Sequence, residues 1–506
     1  VARVLALDAG TTGVRTLAVD EEGQVTDLAY RELTQHFPRP GWVEHDPQEI
    51  WTAARDTLAE VAGRVADAGQ PVVAVGLTNQ RETTVAFSRT DGRPLARAIV
   101  WQDRRTAPDC ARLAEEGHLP LVRERTGLVL DSYFSATKMR WLLDHTPAGD
   151  AGSDLVLGTV DTWLLWNLTG GPQGGSLVTD VTNAARTLLF DIHRRTWDEE
   201  LLELFGVPGG SLAEVRPSCG RLGTVAGTAA GLPGLDGVPL SGVAGDQHAA
   251  LFGQACFRAG MLKVTYGTGS FALLNVGPEP PVPPDGLLVT PAWDLGDHGA
   301  LPVSYALEGS AFASGAAIQW LRDGLGVIER SEDVGPLAES VPDSGGVTVV
   351  PAFTGLGSPW WDPAARGTVT GITRGTGPPQ LARAVVEAMA YQVRDMVDAM
   401  VEAAGCELQE LRADGGASAM WLLLQLQADL VQVPVARPRS VESTALGAAT
   451  LAGLAEGVWS SLDELAGLWE AELESEPIME EDLADALHDV WIRSVERSRD
   501  WAREPS

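Results

Sequence analysis

Apolar and polar positions run along this chain in two rhythms. RVLALDAG is an apolar run of strand length, and VRTLAVDEEG, after a Gly/Thr turn, reads as its hairpin return. Asp46-Pro47 opens an amphipathic helix through about Gly63, with proline at a tolerated first-turn position. PVVAVGLTNQ is a buried strand ending in polar residues, and GSDLVLGTVDTWLLWNLTG is a strand leading into a helix. Near the middle the opening pattern returns: GMLKVTYGTGSFALLNVG, Gly260 to Gly277, is again apolar arm, Gly/Thr turn, apolar arm. A long helix (GPPQLARAVVEAMAYQVRDMVDAMVEAAG), a strand and turn (LRADGGAS) and a second helix (STALGAATLAGLA) follow it. The alternation predicts α/β layers, and the repeated opening predicts two domains of similar design, 1–251 and 252–506. Pro278 to Pro302, rich in Pro, Gly and Asp, is expected to form surface loops. The tail from Glu470, acidic and then helical, is expected to be a solvated face.

Composition narrows the function classes. The chain has 506 residues and a formal charge of −32, which argues against nucleic acid or an anionic membrane as partner. Lys138 and Lys263 are the two lysines; arginine carries nearly all the positive charge. The four cysteines, Cys110, Cys219, Cys256 and Cys406, are scattered, so neither a zinc site nor a disulfide framework is indicated. With no signal-like or membrane-length apolar segment, a cytoplasmic protein is expected.

The Gly/Thr turns suit phosphate, because successive backbone N–H groups in a tight turn form an anion-binding nest. Neither lysine lies in a Walker A or protein-kinase context, so a nucleotide would be held by glycine backbone, threonine hydroxyls and arginine. Four polar clusters add candidate chemistry. In TNQRETT, Arg81 and Glu82 project from a strand end, either as a ligand site or as a surface ion pair. In WQDRRT, Trp101 is either a core residue or an apolar wall for a small ligand. In SGVAGDQHAALFGQ, Asp246 is either an N-cap or a general base for a hydroxyl. VPAFTGLGSPWWDPAARG, dense in glycine, proline and aromatics, reads as architectural. Asp8, in LDAGTTG, is equally open at this point: base, metal ligand or turn residue.

Taken together, these segments resemble the FGGY carbohydrate kinases. LDAGTT, TNQRETT, IVWQDRRT, SYFSATKMRWLLD, GTVDTWLLWNLTG, VTDVTNAARTLLFDIH, GVAGDQHAALFGQ, TYGTGSF, ALEGSAFASGAAIQWLRD, VPAFTGLGSPWWDPAARG, LRADGGAS and STALGAA occur in the family's order nearly end to end. TNQRETT with WQDRR favours glycerol over a ketose or gluconate. The resemblance implies two actin-like ATPase (RNase-H-like) domains flanking a central cleft, with Mg²⁺, ATP and polyol between them, in a homo-dimer or homo-tetramer. It implies that Arg81, Glu82, Tyr133, Asp246 and Gln247 bind the glycerol hydroxyls, with Trp101 and Phe271 on its carbon side. Thr11, Thr12, Gly13 and Arg15 in the first turn and Thr268 in the second would hold the ATP phosphates. Gly315, Gln319, Gly416 and Met420 would line the site toward ribose and base. Asp8 and Asp246 would lie nearest Mg²⁺, with Asp246 also the catalytic base. Other readings are a family member acting on another short polyol or ketose, and an actin- or chaperone-like ATP switch with no small acceptor.

The chain departs from the family's pattern at three places. Ala9 stands where glutamine is usual, Gly13 and Val14 where two serines are, and Met420 where an asparagine lies near adenine. In enterobacterial relatives an arginine ahead of the SGxAGDQ strand helps bind the inhibitor fructose 1,6-bisphosphate. Gly237 takes that place here, so little inhibition by this sugar is expected.

Overall fold

The computed structural model describes residues 2–299 and 302–502. Two mixed sheets organise the chain. The first runs, in spatial order, Cys219–Thr224, Pro239–Gly245, Val72–Asn79, Arg3–Ala9, Gly13–Val19, Val25–Glu32. Its three central strands, Pro239–Gly245, Val72–Asn79 and Arg3–Ala9, are parallel; the flanking pairings are antiparallel. The second runs Leu288–Asp294, Val303–Ala311, Ser270–Gly277, Met261–Tyr266, Glu410–Asp414, Val435–Pro438, Ala471–Ser475. There too an antiparallel hairpin (Met261–Tyr266 with Ser270–Gly277) abuts parallel strands. The repeated turn pattern of the sequence is therefore a repeated sheet design.

Arg3–Ala9 is buried along its whole length because helices cover both faces of its sheet. One cover is the helix Pro47–Asp67, capped by the Asp46 carboxylate accepting from the Gln48 N–H and packed through Ile50, Leu58, Val61 and Val65. It continues one turn beyond the Gly63 stop, since the apolar stripe continues through Val65. The other cover comes from far along the chain: Ser443–Ala455 packs on the central strands and crosses the helix Asp246–Gly253. Glycine permits that close approach, because a Cβ on Gly447 would lie 1.8 Å from the Ala249 carbonyl oxygen and one on Gly76 2.0 Å from that of Ala448.

Two expectations are corrected. Pro278 to Pro302 is not only loop: Leu288–Asp294 is a fully buried edge strand of the second sheet. Pro291 misleads a pattern reading, yet an edge strand tolerates it, and the register shifts between Pro291 and Trp293. The tail is not a solvated face either. Ala471–Ser475 closes the other edge of that sheet, and the helix Glu481–Ser498 buries Ala484, Trp491 and Val495 in its core. Among the described residues no helix is long and apolar enough to cross a membrane.

Candidate active site

In the first sheet Ala9, Asn79 and Gly245 lie side by side at the carboxyl ends of the three parallel strands. The residues that follow each strand therefore emerge together: the Gly10–Gly13 turn, Gln80-Arg81-Glu82, and Asp246-Gln247. This is where α/β sheets place their ligands. Asp8 faces its cross-strand partner Arg15, whose Nε donates to Oδ2 at 2.8 Å, and Arg15 Nη1 reaches Glu442 at 2.6 Å. Ala9 points to the opposite face and is fully buried with Leu7 and Val14. Its departure from the family pattern thus falls in the core and not on the turn. Gly13 is covered by the Tyr30 ring, whose hydroxyl oxygen would lie 2.3 Å from a Cβ at that position. That ring takes the room a serine would use.

Behind Asp246 lies a buried charge cluster. Arg81 donates to both oxygens of Glu308, at 2.8 and 2.9 Å, and Arg186 to the same pair at 3.0 and 3.1 Å. Arg186 Nε donates to Glu82 Oε1 at 2.6 Å. Arg81 Nη2 also donates to the Tyr133 hydroxyl at 3.3 Å. Arg81 Nε stands 3.3 Å from Asp246 Oδ1 but is not aligned for a hydrogen bond, so this buried N–H is left unpartnered at the cleft. Burial pushes Glu308 upward, but the two guanidiniums outweigh it and hold the carboxyl well below the usual range. Burial raises Asp246, with Arg81 opposing. Lys263 donates to Gln247 Oε1 at 2.6 Å, and burial lowers its ammonium. Lys138, lowered by burial to about 8, donates to the Tyr133 carbonyl at 2.6 Å and so fixes that loop.

Sheet register aligns the opposite wall. Lys263, Leu273 and Glu308 pair across three strands, and Thr265, Phe271 and Ser310 form the next row, with Asp414 beside Thr265. Paired residues project from one face, so Lys263, Phe271 and Glu308 share a face with Asp414. Trp101 links the first turn to the acceptor cluster: its indole N–H donates to Thr11 Oγ1 at 2.9 Å, and its ring meets Tyr133 edge-on at 5.6 Å.

The second Gly/Thr turn is built like the first. Among the described residues the amides of Thr11 and Thr12, and of Thr268 and Gly269, donate to no backbone carbonyl. Unpaired amides of this kind form an anion nest. The carbonyls of Gly267 and Thr268 accept from Gly315 and Ala316, at 2.9 and 3.0 Å, so the helix Gly315–Gln319 starts on this turn. Gly415 leans on Tyr266 just before it, bringing Gly416 alongside. Gln319 is exposed at the far end of its short helix, and Met420 is half-buried against Gly335.

The structure therefore assembles Arg81, Glu82, Tyr133, Asp246, Gln247 and Trp101 in one locale, and Thr268, Gly315 and Gly416 in another. Glu308, Arg186, Lys263 and Glu442 belong to the same constellation, and the sequence reading assigned them no role. For Glu308 and Lys263 the one signal is a charged residue inside an otherwise apolar run, as in VSYALEGSA and MLKVTY. For a divalent cation the donors fit a water-rich site: Asp8 Oδ1 and Asp246 Oδ2 lie outside these ion pairs and hydrogen bonds, and the charge of Asp8 is near enough to raise Asp246. Mg²⁺ characteristically keeps most of its waters. No cluster of three or more metal-ligating side chains occurs among the described residues, so a fully protein-built cage is not what they offer.

Two sheets of matching design, each carrying a donor turn and joined by a carboxylate-and-arginine cluster, are the frame of a phosphoryl-transferring sugar kinase. Residues 3–253 match the N-terminal domain of the FGGY family of carbohydrate kinases and residues 262–456 the C-terminal domain; the chain belongs to that family. Within it, the glycerol kinase of Aromatoleum aromaticum is 53% identical over 98% of this chain and 99% of its own. The crystal structure of Plasmodium falciparum glycerol kinase with ADP superposes with a TM-score of 0.93 at 32% identity, covering 98% of each chain. Xylulose kinase from Lactobacillus acidophilus shares the fold, with a TM-score of 0.87 at 21% identity and 98% of each chain covered.

Proposed function

We propose that this chain transfers the γ-phosphoryl group of ATP, bound with Mg²⁺, to a terminal hydroxyl of glycerol, giving sn-glycerol 3-phosphate. The observation that carries the reading is Asp246 beside the unpartnered Arg81 Nε, 3.3 Å away, with Glu82, Tyr133 and Gln247 around it. The names and near-complete coverage of the glycerol kinase relatives support the choice of acceptor.

In this reading Arg81, Glu82, Tyr133 and Gln247 hold the acceptor hydroxyls, and Trp101 and Phe271 give its carbon chain an apolar wall. Asp246 accepts the proton of the attacking hydroxyl, a task suited to a carboxylate whose burial has made it more basic. Bound Mg²⁺ would neutralise phosphate charge, with Asp8 and Asp246 as the carboxylates facing its water shell. Thr11, Thr12, Gly13, Arg15 and Thr268 hold the phosphates; Gly315, Gln319, Gly416 and Met420 line the nucleotide's outer part. Residues 1–251 thus supply most of the acceptor site and one jaw, and 252–506 the other jaw together with Phe271. Phosphoryl transfer asks the protein mainly for positioning and charge neutralisation, which these groups provide without a phosphate-binding lysine.

A substrate panel tests the acceptor. With MgATP, glycerol is expected to exceed dihydroxyacetone, glyceraldehyde, erythritol and xylulose by about 10-fold or more in kcat/KM, as a site built to hydrogen-bond specific hydroxyls demands. Preference for xylulose would overturn it. Gly237 is exposed in open space at φ 76°, and no cation stands in its place. Fructose 1,6-bisphosphate at millimolar concentration should therefore leave the rate unchanged, and clear inhibition would contradict this.

A further inference from the structure

Glu308 is a charged residue where the fold asks for an apolar one. It sits mid-strand in Val303–Ala311, paired with Leu273 on one side and Leu288 on the other, and is 2% exposed. Buried ion clusters are a poor means of stabilising a core, since desolvation offsets most of the attraction. Its contacts indicate a different use. Its two oxygens occupy all four terminal nitrogens of Arg81 and Arg186, at 2.8 to 3.1 Å. Beyond these forks Arg81 Nη2 also donates to the Tyr133 hydroxyl, and the two Nε atoms face away from Glu308. Arg186 Nε is spent on Glu82 Oε1. Arg81 Nε is left open beside Asp246.

We propose that Glu308 is the positioning residue of the acceptor site, reaching from the second half of the chain to set Arg81 and, through Arg186, Glu82. The inference rests on the acceptor reading given above. Glu308 touches no reacting atom. It fixes which guanidinium edge meets the acceptor, and it absorbs the charge that would otherwise draw Arg81 fully onto Asp246 and tie up the base. Bidentate guanidinium–carboxylate pairs impose this kind of geometry, and an amide cannot reproduce it because its NH₂ opposes a guanidinium N–H.

Steady-state kinetics of Glu308→Gln test it. The glycerol KM is expected to rise about 10- to 100-fold, while the ATP KM stays within about 2-fold, a split that general loosening of the fold would not produce. Should that variant fail to fold, Glu308→Asp keeps the charge but is one methylene short of both forks. It is expected to raise the glycerol KM by about 10-fold, again with ATP spared. An unchanged glycerol KM in a folded variant, or equal rises for both substrates, overturns the inference. Absence of glycerol-dependent turnover in the unsubstituted protein would instead strike the acceptor reading itself.

Discussion

Asp246→Asn is expected to lower kcat for glycerol by about 10³-fold while the affinity for ATP changes by less than about 3-fold. A positioned general base contributes on the order of 10²–10⁴ in rate, and asparagine has the same shape without the basicity. The substitution should leave the fold intact. The side chain is 31% exposed, and its Oδ1 accepts the Gln247 N–H, a bond the amide oxygen can keep. The pH profile gives an independent check. A base works only when deprotonated, so kcat/KM must fall as pH drops through the pKa of Asp246. Burial raises that pKa above the ordinary 3.8, with Arg81 opposing, so the acid limb lies above the usual aspartate position. The residual activity of the variant should lack that limb. Turnover within a few-fold of the parent would remove Asp246 from the chemistry.

Arg186→Leu is expected to have the largest effect on stability, about 3–5 kcal/mol, the usual consequence of removing one partner from a buried ion cluster. Arg186 is fully buried, its guanidinium lying over Tyr133 and Phe134 at 5.6 and 5.2 Å. Its loss leaves Glu82 with Arg81 Nε, 3.8 Å away, as its remaining cation. Leucine fills part of the volume but cannot satisfy either carboxylate. Glu308 retains its paired bonds from Arg81, so the uncompensated charge concentrates on Glu82. Burial already raises Glu82 against the pull of the two arginines, and without Arg186 it should take up a proton more readily. The defect is therefore expected to shrink as pH falls. Guanidinium chloride unfolding at neutral and mildly acidic pH measures both effects. A midpoint unchanged from the parent would show that the cluster contributes little.

What could be read in the sequence follows a physical line. The strand–turn–strand units at Arg3–Val19 and Met261–Gly277 were legible because hairpin pairing is local and leaves its period in the residues. Arg81, Glu82 and Asp246 were legible because each follows the end of a buried strand, where charge has no packing purpose. The edge strand Leu288–Asp294 was hidden by Pro291, and the tail's burial by the acidic residues on its outer face. Glu308 and Arg186 were hidden by distance. Glu308 meets Arg81 across 227 residues of sequence and Arg186 across 122, while Arg186 meets Glu82 across 104. No local pattern records such pairings; the two with Glu308 exist only because one half of the chain docks on the other. Asp8, an open choice from sequence alone, is held in an ion pair by Arg15, which Glu442 also engages, while Asp246 stands at the acceptor cluster.

The most direct test of the whole reading is ADP formation by the purified 506-residue chain with MgATP, measured with and without glycerol, with the product's phosphorylated carbon assigned by ³¹P and ¹³C NMR. ADP release should depend on glycerol by at least about 100-fold, given how strongly closed kinase sites exclude water as acceptor, and phosphate should appear at one terminal carbon as sn-glycerol 3-phosphate. ATP consumption at the same rate without glycerol, or phosphate on the central carbon, would contradict it.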